Sequence, residues 1–236
     1  MRDFSKRSTE LELMDDPSTS EKELNEALVD IAFANKWLGG NSITLHAIKK
    51  LLKAHPDKKS WSIADVGCGD GEMLRLLLEK LKKVGYTFTY TGIDINEKGL
   101  VRARRLSKGM DAISYINKDI HTIPTETPAY DIVISALTLH HIKEEQIIDF
   151  LKGMTTISGY AVIINDLDRS KIAYGLYKVF SRIFIKSCVA KNDGLVSIAS
   201  AFKRKDLERY SQELAGNKHK ITWKWAFRYL WCITTR

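Results

Sequence analysis

Apolar residues recur in two rhythms along this chain, and the change near residue 60 divides it. Before that point the rhythm is helical. Leu24, Leu28, Ile31 and Leu38 fall on one stripe, with Ala27 and Ala34 beside them. Ser20 followed by Glu23 has the spacing of a capping box at the start of that helix. Gly39-Gly40 ends it. A second helix is predicted from about Asn41 to Ala54 on Ile43, Leu45, Ile48, Leu51 and Leu52, and His55-Pro56-Asp57 breaks it. Residues 1–17 are polar and predict an extended arm or lid.

Beyond residue 60, short apolar runs alternate with helical stretches. Strands are expected at 60–66, 86–94, 113–117, 131–137 and 160–166, with helices at 71–84, 97–108 and 144–157. Such alternation implies a parallel sheet covered on both faces, with ligands at the C-terminal ends of its strands. The alternation breaks at 169. Residues 169–186 read as a helix with Ile172, Leu176, Val179, Phe180, Ile183 and Phe184 on one stripe. Asn192-Asp193-Gly194 is expected to turn, and helix 203–215 resumes the rhythm. The end, 220–234, reads as two strands with no helix between them, which must pair as an antiparallel hairpin. The expectation is an α/β fold with seven strands. A helical extension spans 1–58, and the sheet domain spans 59–236 with a capping insertion at 168–200.

Composition changes this picture little. The chain has 236 residues, 44% apolar and 28% charged, enough for a sizeable core. No 18-residue apolar run suggests a membrane span, and the N-terminus lacks the apolar core of a signal peptide. Cys68, Cys188 and Cys232 form neither a CxxC pair nor a disulfide framework. A reducing, cytoplasmic setting is expected. The net charge of +8 is local: residues 169–205 carry nine Lys/Arg and one acid, Asp193, which accounts for all of it. A nucleic-acid enzyme would more often spread its basic surface.

The candidate chemistry starts at 63–73. Asp65 ends an apolar run, and Gly67, Gly69 and Gly71 follow at alternate positions before a helix. Glycines this dense suit a ligand lying on bare backbone with a helix N-terminus facing it. A nicotinamide fingerprint would read GxGxxG; here the third glycine comes one residue early. The next strand ends in Asp94, which can take both hydroxyls of a ribose. The third ends near Asp119-Ile120, an acid for an adenine amine and an apolar face for the ring.

Together, Asp65-Val-Gly-Cys-Gly-Asp-Gly71, Gly92-Ile-Asp-Ile95, Lys118-Asp119-Ile120 and the segment Asp131–Ile142 resemble the class I S-adenosylmethionine-dependent methyltransferases. The resemblance covers about 60–235 and implies a Rossmann-like fold with S-adenosyl-L-methionine as cofactor. It implies that Gly67 and Gly69 pass under the methionine part and that Asp65 holds its ammonium. Asp94 would bind the ribose diol, Asp119 the adenine amine and Ile120 the ring face. Cys68, Ile95, Ser135 and Trp37 would complete the cofactor's surroundings. Asn35–Gly40 and Asp193-Gly194-Leu195…Ser197…Ala201-Phe202 further resemble small-molecule methyltransferases of bacterial natural-product pathways.

On the acceptor side the sequence leaves alternatives. His140 and His141 follow strand four at the pocket edge, where a histidine can take a hydroxyl proton; equally, they are helix-entry residues. Asn165 and Asp166 at the tip of strand five face the same pocket, and either suits an acceptor hydroxyl. The insertion, with Tyr174, Tyr177, Phe180 and Phe184, reads as a lid, as packing for the N-terminal helices, or as a basic membrane-surface helix over 169–186. The favoured function is methyl transfer to a hydroxyl of a small phenolic or polyketide-like acceptor by in-line displacement. C-methylation of a quinol ring is the alternative. An RNA methyltransferase fits less well, because no Asn/Asp-Pro-Pro-Tyr or Pro-Cys segment follows strand four. A non-catalytic cofactor-binding protein is the third class, and no metal is called for. Neither the acceptor nor the oligomeric state follows from the sequence.

Overall fold

The computed structural model describes residues 2–16, 18–123 and 129–235. After an extended arm, α1 (Glu21–Trp37) and α2 (Gly40–Ala54) lead into the alternation β1 (Ser60–Val66), α3 (Glu72–Leu81), β2 (Thr87–Asp94), α4 (Glu97–Leu106), β3 (Ile113–Asn117), β4 (Tyr130–Ala136), α5 (Ile147–Ile157) and β5 (Ser158–Leu167). Two helices, α6 (Lys171–Phe184) and α7 (Cys188–Ser200), interrupt it. Then α8 (Arg204–Glu213), β6 (Lys218–Lys224) and β7 (Arg228–Thr234) close the sheet. The capping box forms: the Ser20 Oγ accepts the Glu23 amide, and the Ser20 amide donates to the Glu23 carboxylate at 3.1 Å.

The strands lie in one seven-stranded sheet, in the order β3-β2-β1-β4-β5-β7-β6. The first five pair parallel, and β7 pairs antiparallel with both β5 and β6. This is the mostly parallel sheet with a terminal hairpin that the sequence predicts. Its unbroken apolar runs follow from burial on both faces. Ile63, Ile132 and Ile134 point to one face, where Leu74, Leu77 and Leu81 of α3 and Ile48 and Leu52 of α2 cover them. Their neighbours Ala64 and Val133 point to the other, against Leu151 and Met154 of α5 and Leu207 and Tyr210 of α8. Each fully buried Leu or Ile here contributes about 1.5–3 kcal/mol relative to exposure.

One local expectation fails. Asn192-Asp193-Gly194 does not turn but lies inside α7. Asp193 is buried, and its carboxylate accepts the backbone amides of Leu13 (2.8 Å) and Met14 (2.9 Å) from the arm. Gly194 is small because the Tyr177 ring lies against it; a Cβ there would sit 2.2 Å from Tyr177 Cζ. Tertiary contacts override the turn chemistry that the tripeptide carries locally. The helix expected over 169–186 is likewise shorter, and a second helix, α7, fills the rest of the insertion.

Candidate functional site

At the C-terminal edge of the parallel strands, β1 ends in Asp65-Val66 and the chain turns through Gly67–Gly71 into α3. The two central glycines are required for different reasons. Gly67 has φ +75°, and a Cβ would lie 2.2 Å from the Thr138 methyl. Gly69 has φ +53°, yet a Cβ would meet no protein atom within 4 Å. On Gly67 the Cβ direction is closed by Thr138 of the loop after β4 and on Gly69 it is open, and both glycines present backbone to the cavity. Asp94, at the end of β2, holds this turn in place. Its carboxylate accepts the Gly69 amide (2.8 Å) and the Asn96 amide (2.8 Å). Asn117 at the end of β3 donates to the Asp94 and Ile95 carbonyls at 3.1 and 3.0 Å. Strand tips and turn are thereby locked to one another.

Asp65 is buried, and its Oδ1 has no hydrogen-bond partner. Burial, reinforced by the nearby Asp94 charge, pushes its carboxyl up to about 8. A buried acid with an unpartnered oxygen beside the glycine turn favours a cationic ligand group. Burial also raises the Cys68 thiol far above its ordinary value, so this cysteine is inert as a nucleophile.

The glycine turn opens on a cavity of about 1510 Å³. Drug-sized pockets run to roughly 300–1,000 Å³, so there is room for more than one ligand. Asp65, Gly67, Cys68, Gly69, Asp94, Ile95, Asp119, Ile120, His140 and His141 all line it. Three candidates do not. Asp166 is buried behind His140, its carboxylate taken by the His140 ring and the Leu167 amide, so it meets no acceptor directly. Trp37 is 71% exposed and packs on Phe33 at the end of α1, away from the cavity. Ser135 is buried with its hydroxyl donating to the Val66 carbonyl at 2.9 Å, stitching β4 to β1; the next residues, Ala136 and Leu137, reach the cavity instead.

Helices α1 and α6 supply an apolar part of the cavity lining. Leu24, Leu28 and Ile31 of α1 and Leu176, Val179 and Ile183 of α6 line it, and the last three remain 52%, 58% and 68% exposed. Phe180 joins α6 to a small apolar cluster with Ala27 and Ala34 of α1. Thus the capping insertion both lines the cavity and rests on the N-terminal helices.

The polar end of the cavity is built from three elements. His140 lies in a 3-10 turn after β4, Leu139–His141. Its Nδ1–H donates to Asp166 of β5 at 2.7 Å, and its Nε2 lies 3.7 Å from the Glu12 carboxylate of the arm. Burial opposes charge on His140, but Asp166, by attraction and hydrogen bonding, and then Glu12 outweigh it and raise the imidazole to about 10. Burial likewise pushes Glu12 and Asp166 up, and His140 and His141 more than reverse this, leaving both carboxyls below their ordinary range. His140 is therefore an imidazolium between two carboxylates at neutral pH. His141 is nearer solvent, with Nδ1 3.9 Å from Glu12. Asn165 does not face an acceptor. It donates to the Gly40 carbonyl (2.8 Å) and the Thr44 hydroxyl (3.1 Å), anchoring α2 to β5.

Glu12 and Arg228 are site residues that sequence reasoning missed. Arg228, buried at the start of β7, lines the cavity, donates to Asn35 at 2.8 Å and keeps its Nε unpartnered; burial lowers it to about 10.

Residues 63–157 match the family model described as a methyltransferase domain. That stretch, from β1 to the end of α5, is similar to a methyltransferase domain. Over 129 residues it is 28% identical to the non-reducing polyketide synthase esdpA of Penicillium shearii, 53% of this chain but 6% of that protein. An uncharacterized methyltransferase of Mycobacterium bovis is 29% identical over 115 residues, 48% of this chain and 55% of its own length. The chain thus spans a small part of the first relative and about half of the second. Among solved structures, the plantazolicin methyltransferase BpumL in complex with SAH superposes with a TM-score of 0.67 at 17% identity, covering 94% of this chain and 92% of that one. The fold is that of the S-adenosylmethionine-dependent methyltransferases. Among the described residues no helix is long and apolar enough to cross a membrane.

Proposed function

We propose that this chain transfers a methyl group from S-adenosylmethionine to a hydroxyl of a small phenolic or polyketide-like acceptor, in a reducing, cytoplasmic setting. One observation carries the reading: a single cavity of about 1510 Å³ joins the acids of three strand tips to an apolar wall and a histidine pair. The cofactor's methionine part lies over Gly67 and Gly69, with its ammonium at the buried Asp65. Asp94 takes the ribose diol, Asp119 the adenine amine, and Ile95, Ile120 and Cys68 the faces around them. The acceptor lies between α1 and α6, its hydroxyl at the histidines. The matches to a polyketide synthase and to a plantazolicin methyltransferase support an acceptor of this kind.

The sulfonium is already activated, so positioning does most of the work. Holding the acceptor in line with the methyl group can supply roughly 7–11 kcal/mol of the barrier. The acceptor oxygen forms the new O–CH₃ bond as the S–CH₃ bond breaks, leaving the neutral thioether S-adenosylhomocysteine. The hydroxyl proton passes to His141. His140 already holds its proton, so it acts as a buried positive charge that favours the phenolate, with Asp166 fixing its ring. A panel of phenols, quinols and polyketide-like acids incubated with cofactor tests this. Tandem mass spectra should place one added methyl on oxygen; methyl on a ring carbon would replace the hydroxyl reading with C-methylation.

A further inference from the structure

The arm is fastened to the body on both sides of Glu12 without using Glu12. On one side Arg7 donates to the carbonyls of His140 (3.0 Å), Ile142 (3.1 Å) and Ser200 (2.8 Å) and pairs with Glu144. On the other, Leu13 and Met14 donate to Asp193. Burying the Glu12 carboxylate between these anchors adds a desolvation cost that anchoring does not require. What Glu12 meets there is informative. Its Oε1 accepts the Ser197 hydroxyl at 2.5 Å and lies 3.7 Å from His140 Nε2 and 3.9 Å from His141 Nδ1. All three donor atoms fall within 4.8 Å of one another. His140 Nε2 is fully buried, lacks a hydrogen-bond partner and is aimed into this cluster. Its other nitrogen is fixed by Asp166.

We propose that Glu12, His140 and His141 bind a first-row divalent transition-metal cation, Zn²⁺ or Fe²⁺ in preference to Mg²⁺, with its remaining positions open to the cavity. The donor set of two imidazoles and one carboxylate suits such a cation better than Mg²⁺ or Ca²⁺, which take oxygen ligands. The dimensions fit. Ligand bonds of about 2.0–2.2 Å in a tetrahedral site put neighbouring donors about 3.4 Å apart, so the two Glu12 separations need to close by only a few tenths of an ångström, and the two imidazole nitrogens, within 4.8 Å of each other, close by turning the partly exposed His141 ring. Asp166 behind His140 and Ser197 behind Glu12 are the partners that orient metal-bound imidazole and carboxylate. Three protein ligands leave a place for an acceptor oxygen, whose proton the cation would make easier to lose. Ligation displaces the proton of His140 Nε2 and occupies His141 Nδ1, so in the metal-bound protein the cation takes over the role of the imidazolium and the acceptor's proton leaves to solvent. This last use rests on the methyl-transfer reading; the site itself does not.

The test is calorimetric titration of the full chain, stripped with a chelator, with Zn²⁺, and with Co²⁺ followed by visible absorption. Binding of one ion per chain is expected, with Mg²⁺ binding far more weakly. The His141→Ala variant removes a partly exposed side chain and should bind Zn²⁺ at least about tenfold more weakly; Asp166→Asn, if folded by circular dichroism, should lose about 10–100-fold. Absence of stoichiometric binding, or wild-type Zn²⁺ affinity in both His141→Ala and Glu12→Gln, overturns the proposal. Titrating S-adenosylhomocysteine into the same stripped protein separates the two claims. Binding of it without Zn²⁺ binding sinks the metal site and leaves the methyltransferase reading standing.

Discussion

The protonation of Asp65 should make cofactor binding depend on pH in a direction that distinguishes this site from an ordinary carboxylate. Burial and the Asp94 charge push the Asp65 carboxyl up to about 8. Below that pH the free protein holds a neutral acid there, while the cofactor's ammonium requires the carboxylate. Binding therefore releases a proton, and affinity rises with pH until Asp65 ionises by itself. For a single group titrating at about 8, the ionised fraction grows about ninefold between pH 6 and pH 7, or about 1.3 kcal/mol of binding free energy. Above about 8 the ligand's own amino group begins to lose its proton, and affinity levels and then falls. Calorimetry with S-adenosylhomocysteine in buffers of different ionisation enthalpy counts the proton directly. Close to one proton should leave the complex at pH 6.5. In Asp65→Asn the rising limb should vanish, with weaker binding throughout. A flat profile between pH 6 and pH 7, or the same slope in Asp65→Asn, refutes the ammonium assignment.

Three further outcomes follow from the geometry. Asp94→Ala removes a carboxylate that both orders the glycine turn and faces the ribose position, and should weaken S-adenosylhomocysteine binding at least about tenfold, within the 1.5–3 kcal/mol typical of hydrogen bonds to charged groups; unchanged affinity removes the ribose role. Gly67→Ala places a Cβ 2.2 Å from the Thr138 methyl at φ +75°, so thermal unfolding should show a loss of about 1–3 kcal/mol; a wild-type melting temperature would contradict the packing described. Leu176→Asp puts a charge on the apolar wall of the cavity. Steady-state kinetics should show a raised KM for the acceptor with S-adenosylhomocysteine affinity intact, and equal loss of both would move the acceptor elsewhere.

The sheet and the strand-tip acids were legible because each depends on short-range signals. Alternating apolar runs give the strands, and a parallel sheet delivers ligands to its C-terminal edge. Asp94 and Asp119 could be placed at that edge from their position in the run alone. Glu12 was not legible: it meets His140 and Ser197 across 128 and 185 residues, and an isolated acid in a polar arm carries no local pattern. Asp193-Gly194 misled for the converse reason. Its turn signature is local, while its real partners, Leu13, Met14 and Tyr177, come from elsewhere in the chain. Trp37 and Ser135 sit next to cavity residues in sequence, but helix and strand periodicity turn them away from it. Asn165 and Asp166 are adjacent on β5 and point to opposite faces. One anchors a helix and the other fixes His140, so neither lines the cavity and Asp166 bears on it only through the histidine.

The central claim is methyl transfer inside this cavity, and a single-turnover experiment tests it most directly. Protein in excess over methyl-labelled S-adenosylmethionine is mixed with a phenolic acceptor, and label and S-adenosylhomocysteine are followed together. The account predicts one label in the acceptor for each S-adenosylhomocysteine formed, abolished when Asp65 and Asp94 are both replaced. Tight cofactor binding with no label reaching any phenol, quinol or polyketide-like acid would contradict it.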